Sequence, residues 1–287
     1  MGETAVAGES FSVVPLSAHT GAEIVGVDLR NPVDEHTRGR LNQAFLDHSV
    51  IAIRGQTLNA SQFLEAMKIF GEIFPQHNTR FAVAECPEVH YVSNQHRLDD
   101  GRIYIPGEGY HTDHSNAPEP PKATALCAVK LPTSGGDTQF VNMYDAYDAL
   151  PDETRKRIDG LYARHVYESK HGGRKLPHLA DENKDIESQS VVHPIARTHP
   201  VTGRKAIYIN PIRVEGIIDM PEQEALALLD ELLDHATQEK FQYRHQWKAG
   251  DVVIWDNRCL MHKANGDYPT NEVRYLYRVM LKDDRPN

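Results

Sequence analysis

The chain has 287 residues, 40% apolar and 25% charged, enough to bury a substantial core and compatible in length with one large all-β domain or two small ones. A formal net charge of −10 argues against a broad nucleic-acid-binding surface, which needs Lys and Arg in excess to neutralise phosphates, so any anionic ligand must be met by local Arg residues. Widely spaced Cys86, Cys127 and Cys259, an N-terminus without a basic-then-apolar leader and the absence of 18 consecutive apolar residues argue against a disulfide framework and a membrane span, and point to a soluble, cytoplasmic protein.

In chain order, helical patterning predicts helices at 35–47 and 60–70, with a short strand at 50–53 between them. Strands follow at 123–129 and 138–141, helices at 143–150 and 151–160, and a strand at 164–167. The segment 171–190 is polar and without period, and reads either as a lid or as a mobile loop. Further strands are expected at 191–196 and 206–209. A helix at 221–236 opens on Pro221 and carries Leu226, Leu229, Leu232 and Leu233 as an apolar stripe that would brace a sheet. From Phe241 to Trp247 apolar and polar residues alternate, and Lys248-Ala249-Gly250-Asp251 supplies turn chemistry before the apolar run 251–255, which predicts a β-hairpin. A last strand spans 274–282. Many short strands, flanking helices and no internal repeat or linker imply one mainly β domain over 1–287, a barrel or sandwich of which the jelly roll is the closed two-sheet form.

Chemistry concentrates in three places. His111-Thr112-Asp113 is a His-x-Asp pair, which alone is weak in a chain with 16 His. It gains weight from a distant partner, His262, seven residues beyond Trp255 at the end of the strand 251–255. Two His and one carboxylate on one face of an iron leave three positions open for a bidentate 2-oxo acid and then O2, whereas Zn more often takes a closed or tetrahedral set. Such a co-substrate needs a cation away from the metal for its second carboxylate. Arg274 offers a planar bidentate fork, and Thr138, on a strand after Gly135-Gly136, offers a hydroxyl. Arg278 lies four residues beyond Arg274, so on a strand both share one face, with Tyr275 and Tyr277 on the other.

Taken together, Gly21 to Leu29, Tyr110-His111-Thr112-Asp113, Gly135-Gly136-Asp137-Thr138, Gly250-Asp251, Trp255-Asp256-Asn257-Arg258, His262, Arg274 and Arg278 resemble the taurine dioxygenase and 2,4-dichlorophenoxyacetate dioxygenase family along nearly the whole chain. The resemblance implies a double-stranded β-helix, cupin-like core, with Fe(II) on His111, Asp113 and His262 and 2-oxoglutarate on Thr138 and Arg274. It also places Arg278 where the family holds the anionic group of the substrate, and His77, His165 and Arg213 near pocket positions. The stretch 229–262 looks most like the 2,4-dichlorophenoxyacetate branch, but Asn210-Pro211-Ile212-Arg213 stands where that branch is expected to carry a His-containing segment.

The expected activity is oxidation of a small anionic organic molecule such as a carboxylate, aryloxyalkanoate, sulfonate or sulfate ester, with Fe(II), 2-oxoglutarate and O2, and with no nucleic-acid or membrane partner. Hydroxylation next to an ether, sulfonate or sulfate group would let the product collapse and release it. A halogenase would lack the carboxylate ligand that Asp113 supplies. Two other classes remain alternatives: a non-catalytic cupin-like binding protein, which leaves the triad and distal Arg unexplained, and a metal-dependent hydrolase, for which no general base is evident beside the triad. A homo-oligomer is compatible with this reading. His114 and His199 are expected to serve structure or solvent rather than metal or substrate.

Overall fold

The computed structural model describes residues 11–76, 79–98, 101–167, 169–171 and 190–283. Its framework is an eight-stranded sheet, facing a smaller three-stranded one. The large sheet runs in the order β1 (Ser12–Pro15), β2 (Ala22–Val25), β3 (Val50–Ile53), β14 (Val252–Asp256), β6 (Ala123–Lys130), β16 (Tyr275–Leu281), β5 (Cys86–Ser93) and β4 (Ala82–Val83). The small sheet is β13 (Gln242–His245), β7 (Thr138–Asn142) and β15 (Leu260–Ala264). A further sheet of β12 (Val214–Ile217), β8 (Tyr162–Val166) and β9 (Ser190–Pro194) and the pair β10 (Ala196–Thr198) and β11 (Lys205–Ile207) complete the strands. This is the jelly roll that the strand pattern implies.

Period-two alternation divides the large sheet into two faces. Opposed residues in register, such as Ala52 with Val253, Val253 with Leu126, and Ala128 with Leu276, all turn inward. There they share a core with Phe140 of the small sheet. Their neighbours Ile51, Ile53, Ala125, Cys127, Val252, Ile254 and Val279 turn outward against Leu41, Phe45, Phe63 and Met67. Those residues belong to two outer helices, α1 (Glu35–His48) and α2 (Ala60–Met67). Burial on both faces is why 50–53, 125–128 and 252–255 read as unbroken apolar runs rather than alternating ones.

Both outer helices have defined ends. The Asp34 side chain accepts the Thr37 amide at the start of α1, and Asn59 and Gln62 form a reciprocal capping box on α2. Helices α3 (Met143–Asp148) and α4 (Asp152–Ile158) follow β7, and α5 (Glu222–Ala236) packs beside β12 and α3. In α5 the buried line is Ala225, Leu228, Leu232 and Ala236, so of the leucine stripe expected from sequence Leu232 alone is fully buried. Leu229, Leu233 and Leu226 are only partly buried. Small alanines at both ends of that line let the helix approach closely, a contact that counting leucines overlooks.

The hairpin expected around 248–251 does not form. β13 pairs with β7 in the small sheet, whereas β14 pairs with β3 and β6 in the large one, so the turn carries the chain from one sheet to the other. Asp251 anchors this crossing from a buried position. Its Oδ2 accepts the Lys248 amide at 2.9 Å, Arg54 Nη1 at 2.6 Å and His245 Nε2 at 3.1 Å. Arg54 in turn donates to Glu23 at 2.8 Å. Of the lid expected at 171–190, residues 172–189 lie outside the described residues.

Removing Asp251 takes away one of the two carboxylates that meet Arg54, leaves the buried His245 without its acceptor and releases the turn. Asp251→Ala is therefore expected to destabilise the fold by about 3 kcal/mol, read as a lower midpoint of thermal unfolding. An unchanged midpoint would mean that the crossing is held elsewhere.

Candidate metal centre

Two histidines meet because two backbones exchange hydrogen bonds. The His111 amide donates to the His262 carbonyl at 2.9 Å, and the His262 amide donates to the His111 carbonyl at 2.8 Å. A pair that exchanges both bonds sends its side chains to the same face, and the two ring centroids lie 4.2 Å apart. Gly107 flanks this bridge with φ +79°, and a Cβ there would stand 3.3 Å from His111 Cε1, so the loop needs glycine. His111 Nδ1 donates to the Gly109 carbonyl at 2.9 Å, which fixes the tautomer and leaves Nε2 as a lone pair. That atom lies 3.6 Å from Asp113 Oδ1, and His262 Nε2 lies 3.9 Å from Asp113 Oδ2.

One donor atom from each of His111, Asp113 and His262 thus lies within 4.8 Å of the others. Burial, then the neighbouring His111, pulls His262 down to about 3, so its imidazole is neutral. Burial opposes ionisation of Asp113, but the charges around it, including Arg278, outweigh that and hold its carboxyl below the ordinary range. Two imidazoles and one carboxylate gathered on one side form a set suited to a divalent iron. Asp113 is also held from behind. Its Oδ2 accepts the Thr124 hydroxyl at 2.6 Å, and Thr124 accepts the Asn257 amide at 2.9 Å. The Thr112 hydroxyl donates to the Asn257 carbonyl at 2.9 Å, closing the loop around the carboxylate.

Arg274 and Thr138 approach one another through Trp247. Its indole Nε1 donates to Thr138 Oγ1 at 3.0 Å, and its ring lies 6.0 Å from Arg274 Cζ. Arg274 is 4% exposed and donates from Nε to the Gly136 carbonyl at 2.8 Å, while its Nη2 is buried without a hydrogen-bond partner among the described residues. Gly136 has φ +74°, and a Cβ there would sit 3.2 Å from Arg274 Cδ. Burial draws the Arg274 guanidinium down to about 10, which still leaves it charged at neutral pH.

Arg278 lies opposite Leu126, an inward residue, so it turns to the inside with Leu276, two positions before it. Tyr277 turns outward. Arg278 Nη2 donates to Gln76 Oε1 at 2.7 Å, and its Nε is buried without a partner among the described residues. Asp256 does not pair with it. That carboxylate accepts Arg258 Nη2 at 2.7 Å and His199 Nε2 at 3.1 Å. His199 Nδ1 accepts the amides of Val201 and Thr202, so this residue is structural, as expected.

The remaining residues singled out from sequence have these surroundings. Arg213 donates from Nη1 to the Tyr167 carbonyl and lies 4.5 Å above its ring. His165 is fully buried against His193 and Tyr208. His114 has φ +46° and packs on Phe74, outside the triad. His77 lies outside the described residues. Sequence reasoning missed Thr124, Asn257, Trp247 and Gln76. Thr124 had a signal, as a hydroxyl within an otherwise apolar strand, and Asn257 stood within the Trp-Asp-Asn-Arg motif.

Known proteins resemble this chain along most of its length. The model of the family described as taurine catabolism dioxygenase TauD, TfdA family matches residues 12–280. An alpha-ketoglutarate-dependent 2,4-dichlorophenoxyacetate dioxygenase from Cupriavidus pinatubonensis is 33% identical, over 94% of this chain and 97% of its own. An alpha-ketoglutarate-dependent sulfate ester dioxygenase from Pseudomonas putida is also 33% identical, over 96% of this chain and 91% of its own. The crystal structure of a taurine dioxygenase from Burkholderia xenovorans superposes with a TM-score of 0.82 at 34% identity, covering 97% of this chain and 91% of that one.

Loss of the hydroxyl that steadies Asp113 should loosen the metal site without removing a donor. Thr124→Val is expected to weaken Mn(II) binding about 10- to 100-fold, measured by titration calorimetry. Wild-type affinity in this variant would show that Asp113 needs no support from β6.

Proposed function

This chain belongs to the taurine catabolism dioxygenase TauD, TfdA family, and we propose that it oxidises a small anionic organic molecule held by Arg278. It is an oxidoreductase that works with Fe(II), 2-oxoglutarate and O2. His111, Asp113 and His262 would hold the iron, which when bound supplies the oxidising chemistry that couples decarboxylation of 2-oxoglutarate to removal of hydrogen from a substrate C–H bond.

One observation carries the substrate reading: the buried Arg274 and the half-buried Arg278 stand close together on the chain, and the guanidinium of each keeps a buried N–H without a partner among the described residues. Buried donors left unpaired are unfavourable unless a ligand meets them, and 2-oxoglutarate satisfies one guanidinium comfortably. Arg274 and Thr138 take the far carboxylate of 2-oxoglutarate in this reading. Because Thr138 Oγ1 already accepts the Trp247 indole N–H, its own hydrogen is left to donate to that carboxylate. Arg278 then takes the anionic group of the substrate and orients its tail toward the metal. Arg213 and His77 remain candidates for the pocket wall. Aryloxyalkanoates and sulfate esters are the first compounds to try, because the relatives from Cupriavidus and Pseudomonas are named for them.

Anaerobic protein with Fe(II) and 2-oxoglutarate should develop a weak visible charge-transfer band, and His111→Ala or Asp113→Ala should abolish it. Succinate release across a panel of carboxylates, aryloxyalkanoates, sulfonates and sulfate esters then identifies the substrate. A full band in either variant, or no succinate with any anion, would sink this assignment.

Arg274→Ala removes a charge-assisted bidentate contact of about 2–4 kcal/mol, so 2-oxoglutarate affinity is expected to fall roughly 30- to 1000-fold with metal binding intact. Trp247→Phe should weaken 2-oxoglutarate about fivefold, and its effect should largely vanish in a Thr138→Val background. Additive losses in that double-mutant cycle would separate Trp247 from the hydroxyl.

A further inference from the structure

His90 lies directly opposite Arg278, on the neighbouring strand β5. Residues opposed in this way project from the same face with Cβ atoms about 5 Å apart. Val89 on β5 packs with the outward core, whereas Val92 packs with the inward one, which puts His90 on the inside. His90 is 4% exposed, and none of the described residues hydrogen-bonds its ring. Beside it, Gln76 gives Oε1 to Arg278 and keeps a buried Nε2 without a partner among the described residues, and Arg278 Nε is left in the same state. Two buried donors without partners among the described residues, Gln76 Nε2 and Arg278 Nε, therefore lie beside the buried His90 ring near the metal triad, whose Asp113 feels the charge of Arg278.

We propose that His90 and Gln76 complete the substrate cradle around Arg278, and that His90 is a specificity-determining residue that selects a monoanionic oxyanion head group, a carboxylate, sulfonate or sulfate ester. This rests on the reading of Arg278 as the substrate anchor. The class follows from charge. Gln76 is neutral, and burial followed by the adjacent Arg278 draws His90 down to about 4, so the imidazole offers an N–H but no charge at neutral pH. The cradle carries one positive charge. A monoanion is matched, while a phosphate monoester, close to dianionic above pH ~7, brings a second negative charge toward Asp113. Gln76 Oε1 occupies one edge of the guanidinium and turns its Nε edge toward the head group, to which His90 adds an N–H from the side of β5.

The test uses the full chain loaded with Mn(II) and 2-oxoglutarate, which binds ligand without turnover. Hexanoate, hexyl sulfate and hexyl phosphate are titrated by calorimetry at about pH 8, where the last is dianionic. The two monoanions should bind, with hexyl phosphate at least tenfold weaker. His90→Phe should weaken the monoanions about tenfold and leave 2-oxoglutarate affinity unchanged, while His90→Gln, which restores an N–H, recovers most of the loss. Wild-type affinity in His90→Phe with a loss in Arg278→Ala overturns the role of His90 alone. Unchanged monoanion binding in Arg278→Ala overturns the anchor reading beneath it. Hexyl phosphate bound as tightly as the monoanions, or no binding of any probe by the wild-type protein, overturns the charge match. A His90→Phe protein that fails to fold leaves His90→Gln to decide: because it keeps the N–H, monoanion affinity far below wild type with 2-oxoglutarate affinity intact would contradict the donor role.

Discussion

Everything at the metal centre depends on a bridge one residue long. His111 precedes His262 by more than half the chain, yet reciprocal backbone hydrogen bonds set their Cα atoms side by side and aim both imidazoles at one point. The bridge extends the small sheet at β15, whose other edge is paired with β7 along five positions. A metal site built in this way inherits the rigidity of a sheet, although one of its strands is only a turn. Asp113 needs separate support, because it leaves the paired region two residues after His111. Thr124 and Asn257 provide it from two different parts of the large sheet.

Buried carboxylates mark both ends of β14 and explain why that strand can hold the site. Asp251 at its start ties together Arg54, His245 and the sheet-crossing turn. Asp256 at its end accepts two bonds from the Arg258 side chain and one from His199. Neither carboxylate faces a ligand. They keep Trp255 in place, and Trp255 packs 4.6 Å from the ring of His262 and 5.5 Å from Phe140 across the core. Two motifs recognisable in the sequence, Gly-Asp and Trp-Asp-Asn-Arg, are thus scaffold more than chemistry, apart from Asn257.

Much of this was legible in the residues. Strands buried on both faces announce themselves as β-branched runs, and the expected 50–53 coincides with β3. Strands whose identity comes from partners were invisible: β15 is Leu-Met-His-Lys-Ala, with no β-branched residue, and β5 carries Pro87 near its start. Turn chemistry at 248–251 correctly foretold a reversal, but nothing local states which sheet the chain re-enters. The triad and the two arginines could be read from spacing. His90 and Thr124 could not be tied to them, because only sheet register brings β5 and β6 beside β16.

The inward face of β16 also works as a ruler. Arg274 just precedes the strand and Arg278 lies within it, four residues on, which separates their Cα atoms by roughly 13 Å at the rise of an extended chain. Outside, Tyr275 stacks on Tyr91 at 5.1 Å, and β5 pairs with β16 in unbroken register from Tyr275 to Arg278 while β6 shifts register between Tyr275 and Leu276, so the interval is held from the side of β5. Inserting or deleting a single residue would turn one guanidinium out of the interior. Relatives that accept longer or bulkier molecules must therefore keep the interval and remodel the connecting loops, and lineages built on this scaffold should diverge in loop length while the spacing of the two arginines stays frozen.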